Sequence, residues 1–379
     1  MGKKINVAVI ACGSRSRGVV SHLLKDSNRQ VEIVAAYDPD PAQIEYVKGI
    51  WESPDTIACK TADEAINFPG VEWVMVFSPN AGHKEHILAA FQAGKHVFSE
   101  KPLATTIDAC MEIYDAHKKS GLHFATGFVL RYAPLYRRVK EMLDSGKFGK
   151  IMSINADENI PPYHGSYIMM NWRRERAVSG PHILEKCCHD LDLINWFCRS
   201  HASAVASFGG RNFFIPENEW MHEKYGKAVF NQWHDPHAVA SSPFISGGDM
   251  MDNQVAIFEY RNGIRVQFQC TMSNAMPTRR MYISCTEGTI SLDLYAKTIK
   301  YRFLGSDEEN TLAYKSADGH GGGDDYIMKE LYETMTKGVP PKCSGNEGLE
   351  SAVLALAIDE AARTREIVDL DPVWKKLGR

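Results

Sequence analysis

Up to about residue 125 the chain alternates short apolar runs with stretches of helical periodicity. The runs at 6–10, 31–37, 73–77, 96–99 and 123–127 predict strands, and 17–25, 40–50, 84–93 and 106–120 predict helices. Apolar strands alternating with helices point to a parallel sheet covered on both faces. A doubly wound α/β domain over residues 1–126 is therefore expected. From about residue 150 the texture changes. The runs at 151–157, 204–210, 254–260, 264–272 and 280–284 are joined by turn residues, and Asn262-Gly263 between two alternating runs is a strong hairpin signal. This predicts a second α+β domain over 127–379 built on a large, open, mostly antiparallel sheet. Residues 211–248 are polar and aromatic-rich and read as an insertion or an active-site loop. Helical patterns return at 325–337 and 347–366, from where they can pack back on the first domain.

Length agrees with two domains, because single cores rarely grow beyond about 250–300 residues and this chain has 379. A formal charge of −4 gives no electrostatic case for nucleic acid or an anionic membrane surface. No apolar run approaches membrane-spanning length. The opening run at 5–11 is short and is interrupted by Asn6, so it reads as a first strand and not a signal peptide. A cytoplasmic protein acting on small molecules is the expectation. The nine cysteines are scattered and contain no Cys-x-x-Cys pair, which suits reduced thiols. Cys187 and Cys188, with His189 and Glu185 nearby, lack metal-ligand spacing, and no metal is expected.

The turn after the first strand, Ala11-Cys12-Gly13-Ser14-Arg15-Ser16-Arg17, would let backbone N–H groups approach a pyrophosphate at a helix N-terminus. Gly13, Ser14, Arg15 and Arg17 are its candidate cofactor contacts. The fingerprint is broken, since Ala11 and Ser16 stand where G-x-G-x-x-G has glycine. Asp38 ends the second strand, where a carboxylate would accept from ribose hydroxyls and disfavour a ribose phosphate, so NAD is expected over NADP. Ser78, Asn80 and His83 close a further strand and belong to the same candidate surface, as do Glu100 and Lys101 of Glu100-Lys101-Pro102.

Removing hydride from a secondary alcohol requires the hydroxyl proton to leave as well, and histidine is the natural base near neutral pH. If 184–197 is helical, Glu185 and His189 share one face at i, i+4, and Asp192 continues the stripe. Lys186 and Asp190 read as a plain helical ion pair. Lys101, at a strand end, could polarise the reacting oxygen. Arg131, Tyr163, Trp172, Arg173, Asp192 and His320 are candidate substrate contacts, because rings stack on sugar faces while Arg and His donate to hydroxyls. The glycines of His320-Gly321-Gly322-Gly323-Asp324 allow a tight path into the following helix, with Asp324 as a candidate N-cap.

The order of glycine turn, Asp38, Ser78-Pro79-Asn80-x-x-His83, Glu100-Lys101-Pro102 and Gly127-Phe128-x-x-Arg131 resembles the glucose–fructose oxidoreductase/inositol dehydrogenase/rhizopine-catabolism (Gfo/Idh/MocA) family over nearly the whole chain. In that family the catalytic helix reads Asp-x-Gly-x-His-x-x-Asp; here Glu185 takes the first acid position, Cys187 the glycine, His189 the histidine and Asp192 the last acid. The resemblance implies a Rossmann domain, a homodimer or homotetramer, and NAD-dependent oxidation of a sugar, cyclitol or glycoside. It implies His189 as acid/base, assisted by Lys101 and Glu185. Two alternatives stand beside it. One is a redox-neutral glycosidase working by oxidation, elimination and reduction, with Tyr163 or His164 as a further base. The other is a regulator that binds NAD(H) without turnover.

Overall fold

The computed structural model describes residues 4–233, 238–315 and 319–379. Its contacts divide the chain into two units, 1–133 with 322–352, and 134–321 with 353–379.

The first unit holds β1 (Ile5–Ile10), β2 (Val31–Tyr37), β3 (Ile57–Ala58), β4 (Trp73–Val76), β5 (His96–Ser99) and β6 (Phe124–Thr126), all parallel, in the order β3-β2-β1-β4-β5-β6. β1 and β4 are buried along nearly their whole length, as strands covered on both faces must be. Helices α1 (Ser14–Asp26), α2 (Pro41–Trp51), α3 (Ala62–Ile66), α4 (His83–Gln92) and α5 (Ile107–Ser120) connect them. Local chemistry sets several of their ends. The Asp40 side chain accepts from Ala42 N–H ahead of Pro41 at the start of α2, Thr106 accepts from Ala109 N–H at the start of α5, and Gly121 closes α5 in the left-handed region.

The second unit carries α6 (Pro134–Asp144), β7 (Ile151–Asn159), α7 (Pro162–Met170), α8 (Arg176–Ser179), α9 (His182–Glu185), α10 (Cys188–Cys198), β8 (Ala202–Gly210), α11 (Trp220–Tyr225) and α12 (Lys227–Phe230). Strands β9 (Asn253–Tyr260), β10 (Arg265–Thr271), β11 (Thr278–Cys285), β12 (Gly288–Asp293), β13 (Thr298–Phe303) and β14 (Asn310–Ala313) follow. Near the C-terminus come α13 (Gly323–Lys337), α14 (Gly345–Thr364), β15 (Val368–Asp369) and α15 (Asp371–Lys376). The nine-stranded sheet runs β14-β13-β12-β11-β7-β10-β9-β8-β15. Its pairs are antiparallel except β7 with β10. The hairpin at Asn262-Gly263 joins β9 to β10, with Gly263 at φ +83°. Burial alternates along β9 and β11, leaving Val255, Ile257 and Tyr282 exposed on one face.

Three expectations change. The domain boundary falls after Ala133, while α13 packs back on the first unit as the sequence allowed, against α1 and the turn at Val129–Tyr132. There Gly323 lies so close to Val129 that a Cβ would meet its carbonyl oxygen at 2.3 Å. Residues 211–248 are not one loop. Phe214, Phe230 and Phe244 form a small core with Ile160, Ile168, Met169, Met250 and Met272, and Asp252 accepts from the N–H groups of Asn212, Phe213 and Phe214; residues 234–237 lie outside the described residues. The helix predicted over 184–197 is two helices. α9 ends at Glu185, and α10 restarts through Asp190 N–H to Cys187 O.

Candidate active site

In the first unit, β1 delivers the chain into the turn before α1. Ala11 takes φ +70°, the left-handed conformation for which the fingerprint has glycine. Ser16, at the third glycine position, is buried with its Oγ donating to Gly13 O at 2.8 Å. Gly13 caps α1 with no side chain, a Cβ there would meet nothing within 4 Å, and the first turn of α1 carries no acid. An open, uncapped helix N-terminus fits an anionic pyrophosphate. Asp38 is fixed beside the turn, its Oδ2 accepting from Cys12 N–H at 2.7 Å and its Oδ1 from Asp40 N–H at 2.9 Å. Burial, then the Asp38 charge, pushes the Cys12 thiol up to about 12, so it stays neutral.

The remaining expected cofactor residues act largely as braces. Arg15 donates to Glu100 at 2.6 Å and to Asp324 at 2.6 Å. Burial opposes its charge, but the two carboxylates outweigh burial and raise its pKa. Asp324 is thus no N-cap; Gly322, at φ +85°, occupies that position. Glu100 also accepts from Lys101 N–H, and Gly127 fits against its carboxylate, where a Cβ would stand 2.7 Å from Oε2. The Lys101–Pro102 peptide is cis. His83 is buried, with Nδ1 2.7 Å from Pro102 O and Nε2 2.9 Å from Ser78 O, so its ring clips the Glu-Lys-Pro loop to the end of β4. Ser78 Oγ pairs with His86 and Asn80 is buried. Arg17 lies over the Tyr46 ring at 4.6 Å and donates to Gln43. Arg131 stands in the Val129–Tyr132 turn.

In the second unit the break between α9 and α10 separates Glu185 from the i, i+4 face expected with His189. Long-range pairs shape it. Lys186 turns to Glu158 at 3.5 Å, while Asp190 accepts from Arg279 Nε at 2.8 Å and Nη2 at 2.7 Å, so the two are not paired with each other. Arg279 also pairs with Glu158. All three groups of this triad are buried. Burial pushes the Glu158 carboxyl up to about 8 against the pull of Arg279. Burial disfavours the Arg279 charge, yet Asp190 and Glu158 raise its pKa.

Glu185 accepts from Arg173 Nε at 2.9 Å. Arg173 also donates to Tyr167 Oη at 2.9 Å and lies over Trp172 at 4.2 Å. Trp233 gathers Tyr163, His164 and Tyr167 at ring distances of 5.1, 4.4 and 5.7 Å. Burial, then neighbouring positive charge, holds His164 well below the ordinary histidine range. His189 stands on the first turn of α10 with the His320 ring 5.8 Å away. Asp192 is buried on the same helix. The structure thus groups Tyr163, Trp172, Arg173 and Glu185, and pairs His189 with His320. Sequence reasoning missed Tyr167, Trp233, Arg279 and Glu158; only the aromatic richness of 211–248 hinted at Trp233.

Residues 5–128 match the model of the oxidoreductase family with an NAD-binding Rossmann fold, and 136–291 match the Gfo/Idh/MocA C-terminal domain. YteT of Bacillus subtilis (strain 168), whose name places it among oxidoreductases, is 24% identical over 97% of each chain. An inositol 2-dehydrogenase of Gluconacetobacter diazotrophicus is 29% identical over 57% of this chain and 53% of its own. A 1,5-anhydro-D-fructose reductase of Ensifer adhaerens is 25% identical over 82% of this chain and 83% of its own. A levoglucosan dehydrogenase solved with NADH and levoglucosan superposes with a TM-score of 0.82 at 18% identity, covering 97% of this chain and all of that one; at that identity it attests the fold. Rossmann half and open-sheet half are thus matched in the order the motifs run, and the chain belongs to the Gfo/Idh/MocA oxidoreductase family.

Proposed function

We propose that this protein oxidises a secondary alcohol of a sugar, cyclitol or glycoside, or reduces the matching ketone, with NAD(H). The observation that carries the reading is the arrangement around α9 and α10: an Arg173–Glu185 pair with Arg173 over the Trp172 and Tyr167 rings, and His189, on the first turn of α10, with the His320 ring beside it. A nicotinamide supplies hydride acceptance or donation when bound. His189 takes or returns the hydroxyl proton, and Lys101 polarises the reacting oxygen. Glu185, oriented by Arg173, accepts from a neighbouring substrate hydroxyl. Trp172, Tyr163 and the rings around them offer apolar faces to a sugar, with Arg131, Arg173, Asp192 and His320 supplying polar contacts. Gly13 and Ser14 receive the pyrophosphate, while Asp38 accepts from the ribose and favours NAD over NADP. The names of the inositol dehydrogenase, the anhydrofructose reductase and the levoglucosan dehydrogenase support a polyol or anhydrosugar substrate.

Among the described residues no helix is long and apolar enough to cross a membrane; the proposed cytoplasmic location rests instead on nine scattered cysteines with no Cys-x-x-Cys pair, which suit a reducing compartment. The face carrying Phe208, Val255, Ile257 and Tyr282 is apolar and exposed, which supports assembly into a homodimer or homotetramer through it.

The test is mass spectrometry of products after incubation with NAD and a panel of sugars, cyclitols and glycosides, while NADH is followed. A keto product matched by NADH is expected. Lys101→Ala and His189→Ala should each lower turnover by about 10²–10⁴-fold with NAD affinity retained; unchanged turnover would overturn both assignments. The nearness of His320 to His189 supplies two proton-transfer groups and favours, as a second reading, the redox-neutral glycosidase, which would release sugar with no net NADH. Cofactor binding with no product from any compound would instead support the regulator.

A further inference from the structure

Apart from the residues given roles above, the second unit brings together His182, Cys187 and Cys270. His182 opens α9, Cys187 is the second of the two residues between α9 and α10, and Cys270 faces the covered side of β10 beside Phe268 and Val266. One ligand atom from each lies within 4.8 Å of the others. All three side chains are buried, at 3%, 0% and 1% exposure. A buried thiol alone is an ordinary packing group, and Cys110 and Cys198 are buried in that way. Two thiols meeting an imidazole in one pocket form a metal donor set, and among the described residues this is the group that meets that condition.

We propose that His182, Cys187 and Cys270 bind a zinc(II) ion. Soft sulfur donors exclude magnesium and calcium, which take oxygen. Two thiolates and a neutral imidazole give a divalent ion a net charge of zero, so the filled site can sit in a low-dielectric interior; copper(I) with the same ligands would leave an uncompensated negative charge there. The neighbouring ionic groups do not change this balance, because Glu158 and Asp190 are matched by Arg279 and Lys186. Each thiol releases its proton on binding and histidine binds through an unprotonated nitrogen, so two protons leave per ion. Three protein donors leave the fourth tetrahedral position to a non-protein ligand.

The ion would tie the junction of α9 and α10 to a central strand of the sheet. Glu185 precedes Cys187 by two residues and His189 follows it by two, so the site fixes where both project. Its burial keeps substrate away, so the ion has a positioning role and takes no part in the reaction. The assignment stands independently of the proposed activity.

The test uses the untagged full-length protein, stripped with a chelator and titrated with cobalt(II), then zinc(II). Expected are about one cobalt per chain, thiolate-to-cobalt charge-transfer absorption in the near ultraviolet, loss of that absorption when zinc displaces cobalt, and release of about two protons per ion. Cys270→Ser and His182→Ala should lose the absorption, whereas Cys59→Ser, at a half-buried cysteine of the first unit, should keep it. A folded wild-type protein that shows no charge-transfer absorption would overturn the proposal, and this reading does not depend on any variant folding. A Cys187–Cys270 disulfide, found by peptide mapping of protein alkylated at lysis, would overturn it as well.

Discussion

Replacing Arg279 with leucine should destabilise the second unit severely, and the structure gives the scale. Arg279 is 2% exposed and lies between Asp190 at 1% and Glu158 at 0%. Leucine fills much of the space but leaves both carboxylates buried, with Lys186, 3.5 Å from Glu158, as the remaining cation beside them. Removing one partner of a buried ionic cluster costs about 3–5 kcal/mol, because the orphaned charge must stay desolvated or take up a proton. The second unit spans 134–321 and 353–379. For a unit of about 200 residues, each kcal/mol shifts Tm by about 2–4 °C, so a fall of roughly 6–20 °C is expected. Calorimetry of the purified variant measures it. Adding Asp190→Leu should recover a good part of the loss, since an apolar pair leaves one buried acid beside Lys186 where the single variant leaves two. If Arg279→Leu costs under about 1 kcal/mol, the triad does not dock α10 and the reasoning fails. If the double variant is worse than the single one, lost packing and not an orphaned charge is the cause.

Three further outcomes follow from the same physics. His83 is held below the ordinary histidine range by burial, against its carbonyl contacts with Pro102 and Ser78. The folded state therefore binds fewer protons than the unfolded one; its stability is fully present above the unfolded pKa of about 6.5 and is lost as pH falls through it, so His83→Gln should flatten the drop in urea midpoint between about pH 7.5 and 5.5. Gly127→Ala places a methyl group 2.7 Å from Glu100 Oε2, which should push Glu100 off Arg15 and weaken NADH binding by roughly ten-fold, about 1.4 kcal/mol, read by fluorescence titration; unchanged affinity would detach this brace from the cofactor. Ile257→Asp, at a position 62% exposed on the open sheet face, should shift sedimentation toward monomer with Tm per chain little changed, and an unaltered assembly would place the interface elsewhere.

The parts of this molecule that were legible in its sequence are those whose causes are local. A strand buried on both faces writes itself as an unbroken apolar run, as β1 and β4 do, and Thr106 and Gly121 mark the ends of α5 within a few residues of the bonds they make. Asn262-Gly263 announced its hairpin for the same reason. The α9–α10 break carries no such mark, since Lys186-Cys187 contains neither glycine nor proline. It is held by partners far along the chain: Glu158 on β7 for Lys186, and Arg279 on β11 for Asp190. A local reading therefore paired Lys186 with Asp190, and Glu185 with His189, as a continuous helix requires. The parallel pairing of β7 with β10 escaped notice in the same way, because register between distant strands leaves no local trace. In the candidate site, residue types could be read but their engagements could not. Arg15 and Glu100 looked like two cofactor contacts, and in the folded chain each satisfies the other's charge. Sequence motifs thus select the chemistry that can occur, while distant partners decide which of those groups remain available to a substrate.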